Sequence, residues 1–175
     1  MINDFNLLAT TSRGNERPTC NELLYLLRDE LGDTQAETSK TKIRGLIVAK
    51  TTLDPIAVID KLRAILKERS YEFRYALRIL PIEKVAFSDL GEIKRVSQEL
   101  SARIGENETF RVTVEKRFTT LHSKDIVEAV ASDIKRKASL KNPDRILLIE
   151  VLGNLTGISL LRSIDILAVI KEKML

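Results

Sequence analysis

Two successive α/β units are what this sequence predicts, and three observations carry the prediction. Short apolar or β-branched runs alternate along the chain with longer stretches in which apolar residues recur at helical spacing. Turn and capping residues separate them, among them Asp54-Pro55, Gly105 and Gly153-Asn154. Hydrophobic residues make up 43% of the 175 and charged residues 31%, the balance of a chain that buries a core in water.

The first lobe opens with an apolar stretch from Phe5 to Ala9, then the turn-like Thr11-Ser12-Arg13-Gly14-Asn15. Pro18 to Leu31 reads as a helix, because Leu23, Leu24, Leu27 and Leu31 share one face. Gly32 follows where a C-terminal cap uses its freedom at positive φ. Ile43 to Thr51 is rich in β-branched residues and reads as a strand. Asp54 then supplies an N-cap and Pro55 a first helical residue. The helix they start carries Ile56, Ile59, Leu62, Ile65 and Leu66 as an apolar stripe, and Tyr71 to Ile82 returns to strand character. With a strand around Asp33 to Ser39, the order is strand, helix, strand, strand, helix, strand, which is ferredoxin-like.

The second lobe, residues 83–175 after a first lobe of 1–82, starts a helix at Ser88 or Asp89 with an apolar face of Leu90, Ile93, Val96, Leu100 and Ile104, ended by Gly105. Phe110, Val112 and Val114 alternate with polar residues as a half-buried strand. Thr119 to Ser123 turns into a helix with Ile126, Val127, Val130, Ala131 and Ile134 inward, stopped by Asn142-Pro143-Asp144. Arg145 to Leu152 and Leu155 to Leu161 form a hairpin across Gly153-Asn154, and a short helix closes the chain at about Asp165 to Lys173. The lobes are expected to pack together, since no flexible linker separates them.

Charge is unevenly placed. Between Phe110 and Lys141, eight bases (Arg111, Lys116, Arg117, Lys124, Lys135, Arg136, Lys137, Lys141) face four acids (Glu115, Asp125, Glu128, Asp133), an excess equal to the whole net charge of +4. A local basic patch is the footprint of a phosphate-binding surface, although soluble helices also carry such charges for solvation. One cysteine and one histidine argue against a disulfide or a multi-ligand metal site. The acid at Asp4 and the lack of a long apolar run argue against a signal peptide or a membrane span, so a cytoplasmic protein is expected. The phosphate-loop and dinucleotide fingerprints are missing, as is an acetyl-CoA-binding loop, and no cofactor is expected.

The stretch from Pro81 to Ser159 resembles a THUMP domain, the RNA-binding module of several tRNA-modifying enzymes and their partners. The resemblance rests on Leu80-Pro81-Ile82 leading into the Asp89–Ile104 helix, on Thr109-Phe110-Arg111-Val112-Thr113-Val114-Glu115-Lys116-Arg117, on His122-Ser123-Lys124-Asp125-Ile126, and on Leu140-Lys141-Asn142-Pro143-Asp144 before Glu150-Val151-Leu152-Gly153. Leu7-Leu8-Ala9-Thr10 running into Ser12-Arg13-Gly14-Asn15-Glu16 is similar to the start of stand-alone THUMP proteins that assist tRNA cytidine acetylation. That resemblance implies an adaptor without catalysis of its own. It would hold serine and leucine tRNAs for a separate RNA cytidine acetyltransferase that forms N4-acetylcytidine in the D-arm. It also implies that both lobes hold the acceptor stem and 3′ end. Methyltransferases and thiouridine synthases that bear the module carry a catalytic domain, for which this chain is expected to have no room.

The anion site expected from the residues themselves is the helix start at His122-Ser123-Lys124, with Lys116 and Arg117 just upstream. Arg111, Lys135, Arg136, Lys141 and Asn142 complete the expected RNA-binding set, and Arg13, Arg74 and Arg78 are candidates on the first lobe. Each has a plainer reading. His122 can bond local backbone, Lys135-Arg136-Lys137 can be a solvated helix end, Asn142 can serve the turn, and the first-lobe arginines can pair with glutamates. Cys20 falls on a buried helix face and has no role assigned. Aromatic residues are 5% with no Trp, which argues against a base-stacking platform. The reading of a different class is a ferredoxin-like protein-interaction module that binds no RNA.

Overall fold

Strand β1 (Leu7–Thr10) sits at the centre of a five-stranded sheet because both its edges are taken. It pairs antiparallel with β3 (Leu46–Lys50) on one side and β4 (Arg78–Pro81) on the other, while β2 (Glu37–Lys40) extends the β3 edge. Helix α1 (Glu16–Tyr25) joins β1 to β2, and α2 (Pro55–Glu68) joins β3 to β4. This is the ferredoxin-like order read from the sequence, with sheet order β4-β1-β3-β2. The computed structural model describes residues 2–175. The chain divides into two units, the first running to Ile82 and regaining Asp165–Leu175, the second Glu83–Ile164.

The first core lies between the helices and one face of that sheet. Leu23, Leu27, Val58, Ile59, Leu62 and Leu66 meet Leu7, Ala9, Ile47, Ala49 and Ile79, all buried. Full burial of each of these leucine, isoleucine and valine side chains contributes about 1.5–3 kcal/mol. Asp54 caps α2 by accepting from the Ile56 N–H. Leu26–Glu30 continues α1 as a π-helical turn, after which Gly32 takes φ 75°. At the buried Asp33, desolvation pushes the carboxyl up. Bonds from Thr51 and Thr52 outweigh it and leave the pKa lowered.

Three expectations for this unit need correction. Strand structure does not begin at Tyr71. Residues 70–72 form a 3-10 turn, and the N–H groups of Arg74, Tyr75 and Ala76 bond to the Glu22 carboxylate, leaving a strand only at Arg78–Pro81. The second lobe does not run to 175. Strand β10 (Leu167–Ala168) pairs with β4, and Leu167 and Val169 are buried in the first core. Arg63 Nε also meets Glu172 Oε1 at 2.6 Å. The closing helix is therefore only α5 (Val169–Lys173), since the residues before it complete a sheet that their own apolar pattern does not name.

The second unit holds another five-stranded sheet, in the order β5-β9-β8-β6-β7. Strand β6 (Thr109–Arg117) runs parallel to β8 (Arg145–Leu152), which forms the expected hairpin with β9 (Leu155–Leu161) across Gly153 at φ 65°. Strand β5 (Lys84–Phe87), which the sequence reading passed over, pairs with the start of β9. Helices α3 (Leu90–Ser101) and α4 (Ser123–Ala131) cover one face, burying Ile93, Val96, Leu100, Ile126 and Val130 against Leu147, Ile149, Val151, Ile158 and Leu160. Lys135-Arg136-Lys137 is not a helix end. Helix α4 stops at Ala131, and Lys137–Ala138 forms β7, parallel to the start of β6.

Candidate nucleic-acid interface

Because β5, β6 and β8 run in the same direction, they bring their C-terminal ends to one edge of the second sheet. Helix α3 starts just after β5 and α4 just after β6, so both helix N-termini lie at that edge too. Their donors differ in availability. The α3 start is closed by its own N-cap, with Asp89 accepting from the Glu92 N–H at 3.0 Å. The α4 start has no such cap: His122 is exposed, its side chain makes no capping bond, and only its carbonyl is used, by Ile126 N–H at 3.1 Å. The first N–H groups of α4 therefore have no side-chain acceptor, at the positive end of the helix dipole, and exposed Asp125 is the one acid of that turn.

Lysines complete that edge. The alternation of β6 puts Val112 and Val114 on the core side, and Lys116 shares their face. Its ammonium bonds to the Leu121 carbonyl at 3.1 Å, which fixes a positive charge beside the α4 start. Lys124 is exposed within the first turn, with no ion pair among the described residues.

Beside these donors lies an open groove of about 650 Å³, lined by Phe87, Ser88, Phe118, Thr119, Thr120, Gly153 and Asn154. No carboxylate lines it. Phe87 and Phe118 are 71% and 73% exposed, so two large apolar rings face water at one place. Phe118 is also the non-glycine residue held at positive φ, 54°, among those described. That conformation costs about 1–2 kcal/mol. The surroundings hold the turn in place: Gly153 N–H bonds to Arg117 O, Ser88 N–H to Asn154 O, and Leu121 N–H to Thr119 Oγ1. An aromatic content of 5% over the whole chain reveals neither phenylalanine's place. Phe87 before a cap and Phe118 before a Thr-Thr turn were the available signals.

The remaining expected residues lie elsewhere. Nine residues of β6 separate the two ends of the sheet, about 26 Å at the usual strand rise. At the far end stand Lys135, Arg136, Lys141, Asn142 and the start of β6 with Arg111. Arg111 is committed to Thr113 Oγ1 and the Leu140 carbonyl, and Arg136 to the carbonyls of Ile104 and Gly105. Lys135, Lys141 and Asn142 are exposed. Asp144 holds their loop to β6 by accepting from the Thr109 N–H at 2.8 Å, the main cause of its lowered carboxyl pKa. Arg117, although next to the groove, forms an ion pair with the fully buried Glu150 at 2.6 Å. Ser123 is half-buried at the α4 start.

In the first unit, Arg13 is exposed in the β1–α1 loop, Arg74 is exposed, and Arg78 is half-buried on β4. A cluster that the sequence reading missed surrounds Arg13. Thr11 N–H bonds to Gly45 O, and the Gly45 N–H is accepted by Glu16, so the β2–β3 turn with exposed Lys40, Lys42 and Arg44 lies beside the Arg13 loop. The Gly45 N–H is the main reason the Glu16 carboxyl is held below its usual range, and Lys40 adds to the effect. Alternating cations in Lys40-Thr41-Lys42-Ile43-Arg44 were a visible signal, hidden when charge was summed over the whole lobe.

Among the described residues, no group of three or more His, Cys, Asp and Glu side chains is placed to hold a metal ion. No helix there is long and apolar enough to cross a membrane.

A THUMP domain is matched over residues 87–161, which span β9, the parallel strands and both helices of the second unit. A search of curated proteins finds none that matches. Solved structures with the same fold include PH1313 from Pyrococcus horikoshii Ot3, 19% identical with a TM-score of 0.60, covering 90% of this chain and 55% of that one. TrmN from Thermus thermophilus is 18% identical with a TM-score of 0.54, covering 90% and 45%. A 4-thiouridine synthetase–RNA complex with bound ATP is 16% identical with a TM-score of 0.52, covering 91% and 42%. The chain thus spans about half the length of these proteins, or less.

Proposed function

We propose that this THUMP-domain chain is a tRNA-binding adaptor, without catalysis of its own, that presents tRNA to a separate RNA cytidine acetyltransferase for N4-acetylcytidine formation in the D-arm. The observation that carries the RNA-binding part is the acid-free groove at the uncapped start of α4, where two exposed phenylalanines adjoin open N–H groups, Lys116 and Lys124. Rings of this kind stack on unpaired bases, while N–H groups and lysines take phosphates. The groove therefore suits the unpaired 3′ end of a tRNA. The cations of the far end, and the Lys40–Arg44 turn with Arg13, suit backbone contacts that read A-form shape rather than sequence. The acetylation role is supported by the resemblance of Leu7–Glu16 to the start of stand-alone adaptors.

A second reading has its own support. Among the similar structures are TrmN and a 4-thiouridine synthetase bound to RNA, so the chain would serve as the RNA-binding part of another tRNA-modifying system. The experiment is a reconstitution with serine and leucine tRNAs, acetyl-CoA and the acetyltransferase, with and without this chain, preceded by tRNA binding across a salt series. Binding that weakens steeply with salt, and acetylation that appears only with the chain present, are expected. Tight tRNA binding with acetylation unchanged by the chain would overturn the adaptor role and favour the second reading. Absence of tRNA binding would overturn both.

A further inference from the structure

The first unit has an aromatic groove too, of about 660 Å³, lined by Tyr25, Tyr71 and Tyr75, with Arg17 and Arg74 balanced by Glu22 and Glu72. Behind it Tyr25 Oη donates to Glu30, which also pairs with Arg69. Its charges cancel, so they select no ligand. The phenylalanine groove of the second unit differs, because its two rings stand on a frame that can be traced bond by bond.

Phe87 and Phe118 are both largely exposed, so packing does not hold the rings and the backbone on either side must. The β8–β9 turn supports both. Gly153 N–H bonds to Arg117 O at 2.8 Å, next to Phe118, and Asn154 O accepts from Ser88 N–H at 2.8 Å, next to Phe87. One further bond is made beside Phe87: Ser88 Oγ and Thr156 Oγ1 share a hydrogen bond at 2.9 Å. Thr156 is fully buried, opposite Ala86 in the β5–β9 pair, and on the face of β9 that carries Ile158 and Leu160 into the core. Phe87, opposite Leu155, is on the other face of β5. Ser88 thus ties the end of β5 into the core while the ring of Phe87 stays free. A buried hydroxyl is retained where it has a partner, and here the partner is the residue that follows the ring.

We infer that Thr156 is a positioning residue, which through Ser88 fixes the direction of Phe87 and so the stacking of an unpaired base in the groove. The inference rests on the reading of this groove as the seat of an unpaired RNA 3′ end. Thr156 is buried and does not line the groove, so its effect on RNA passes through its neighbour. Valine has the same shape without the hydroxyl and leaves no buried polar atom behind, since half-buried Ser88 can turn its own hydroxyl to water.

The experiment titrates the full chain, ring-labelled at phenylalanine for NMR, with a short RNA hairpin carrying an unpaired 3′ tail and with the same hairpin made blunt. Of the five phenylalanines, Phe5, Phe73 and Phe110 are buried, so the groove rings give the exposed signals. In the unaltered chain the tail should shift both. In Thr156→Val the tail-dependent shift of Phe87 should shrink while that of Phe118 persists. The tail's contribution to affinity should fall roughly threefold or more, the scale of one lost hydrogen bond. Blunt-hairpin affinity and Tm should stay at parental values, and Thr156→Ser should restore the Phe87 shift. A Phe87 shift unchanged in Thr156→Val, or lost equally in Thr156→Ser, would overturn the inference. So would a loss of affinity shared equally by tailed and blunt hairpins. If the tail moves neither ring in the unaltered chain, the reading of the groove fails and the inference with it. If Phe87→Ala weakens tail binding but Thr156→Val does not, the inference alone fails.

Discussion

The two grooves are nearly equal in volume and each exposes aromatic rings, yet they differ in the charges around those rings. The phenylalanine groove of the THUMP domain is lined by hydroxyls, backbone and an amide, with no carboxylate. It adjoins a helix start that has no cap. The tyrosine groove is lined by two carboxylates and two guanidiniums. Aromatic content alone would assign both to the same ligand. Charge separates them, because a polyanion needs surplus donors and positive potential, and the tyrosine groove balances its guanidiniums with carboxylates.

The largest effect expected at this contrast is from Phe87→Ala with Phe118→Ala. Stacking contributes about 1–3 kcal/mol per base, so tRNA affinity should fall roughly 30-fold or more, and tRNA lacking its unpaired 3′ nucleotides should lose no further affinity in the variant. Equal affinity of variant and parent in a filter-binding titration would remove the groove from the interface.

Next is His122→Asp, which places a capping carboxylate at the open start of α4. Stability should rise by about 0.5–2 kcal/mol as the cap forms, seen as a higher Tm. The tRNA affinity should drop about tenfold as the same carboxylate occupies the phosphate position and adds negative charge. A rise in both would mean that phosphate does not bind there.

Arg117→Met separates packing from recognition. Removing the guanidinium strips Glu150 of its 2.6 Å partner, and a buried polar group left short of a bond costs about 1–3 kcal/mol. Urea unfolding should show that loss, while tRNA affinity measured well below the unfolding range should change less than twofold. A large affinity change at unaltered stability would return Arg117 to the RNA-binding surface.

The smallest effect belongs to the frame of the tyrosine groove. The Arg69 guanidinium, with help from Tyr25, holds the Glu30 carboxyl down at about 2, against 4.5 when free. A depressed carboxylate stabilises fully above its unfolded pKa and loses that contribution as pH falls through its folded one. Tm should therefore be insensitive to this group above about pH 5 and decline between 4.5 and 2. Glu30→Gln should lower the neutral Tm slightly and flatten that decline. An unchanged acid profile would show that the pair contributes nothing to stability.

Much of the fold was legible because helical and strand spacing is written locally. Asp54-Pro55, Asp89 and Gly153-Asn154 mark their caps and turn whatever surrounds them. Where a backbone bond goes to a distant side chain, local reading fails. Tyr71 to Leu77 has strand composition, but Glu22 takes its N–H groups from more than fifty residues away. The candidate site divided the same way. The α4 start and Lys116 were visible as a basic stretch before a helix, whereas Phe87 and Asn154 reach the same groove only through the pairing of β5 with β9. The basic patch read as one surface is two, since the nine residues of β6 carry its halves to opposite ends of the sheet.

By itself, then, the sequence determined the α/β class, the ferredoxin-like order, the resemblance to a THUMP domain and the location of a helix N-terminus with lysines nearby. Periodicity, caps and short motifs are properties of neighbouring residues, so a linear reading reaches them. The tertiary structure alone decided that Leu167 and Val169 complete the first core, that Arg117 is held by Glu150, and that two phenylalanines share one acid-free groove while three tyrosines share another. Each of these depends on which residues far apart in the chain become neighbours. Strand pairing and burial set that, and no local pattern encodes it.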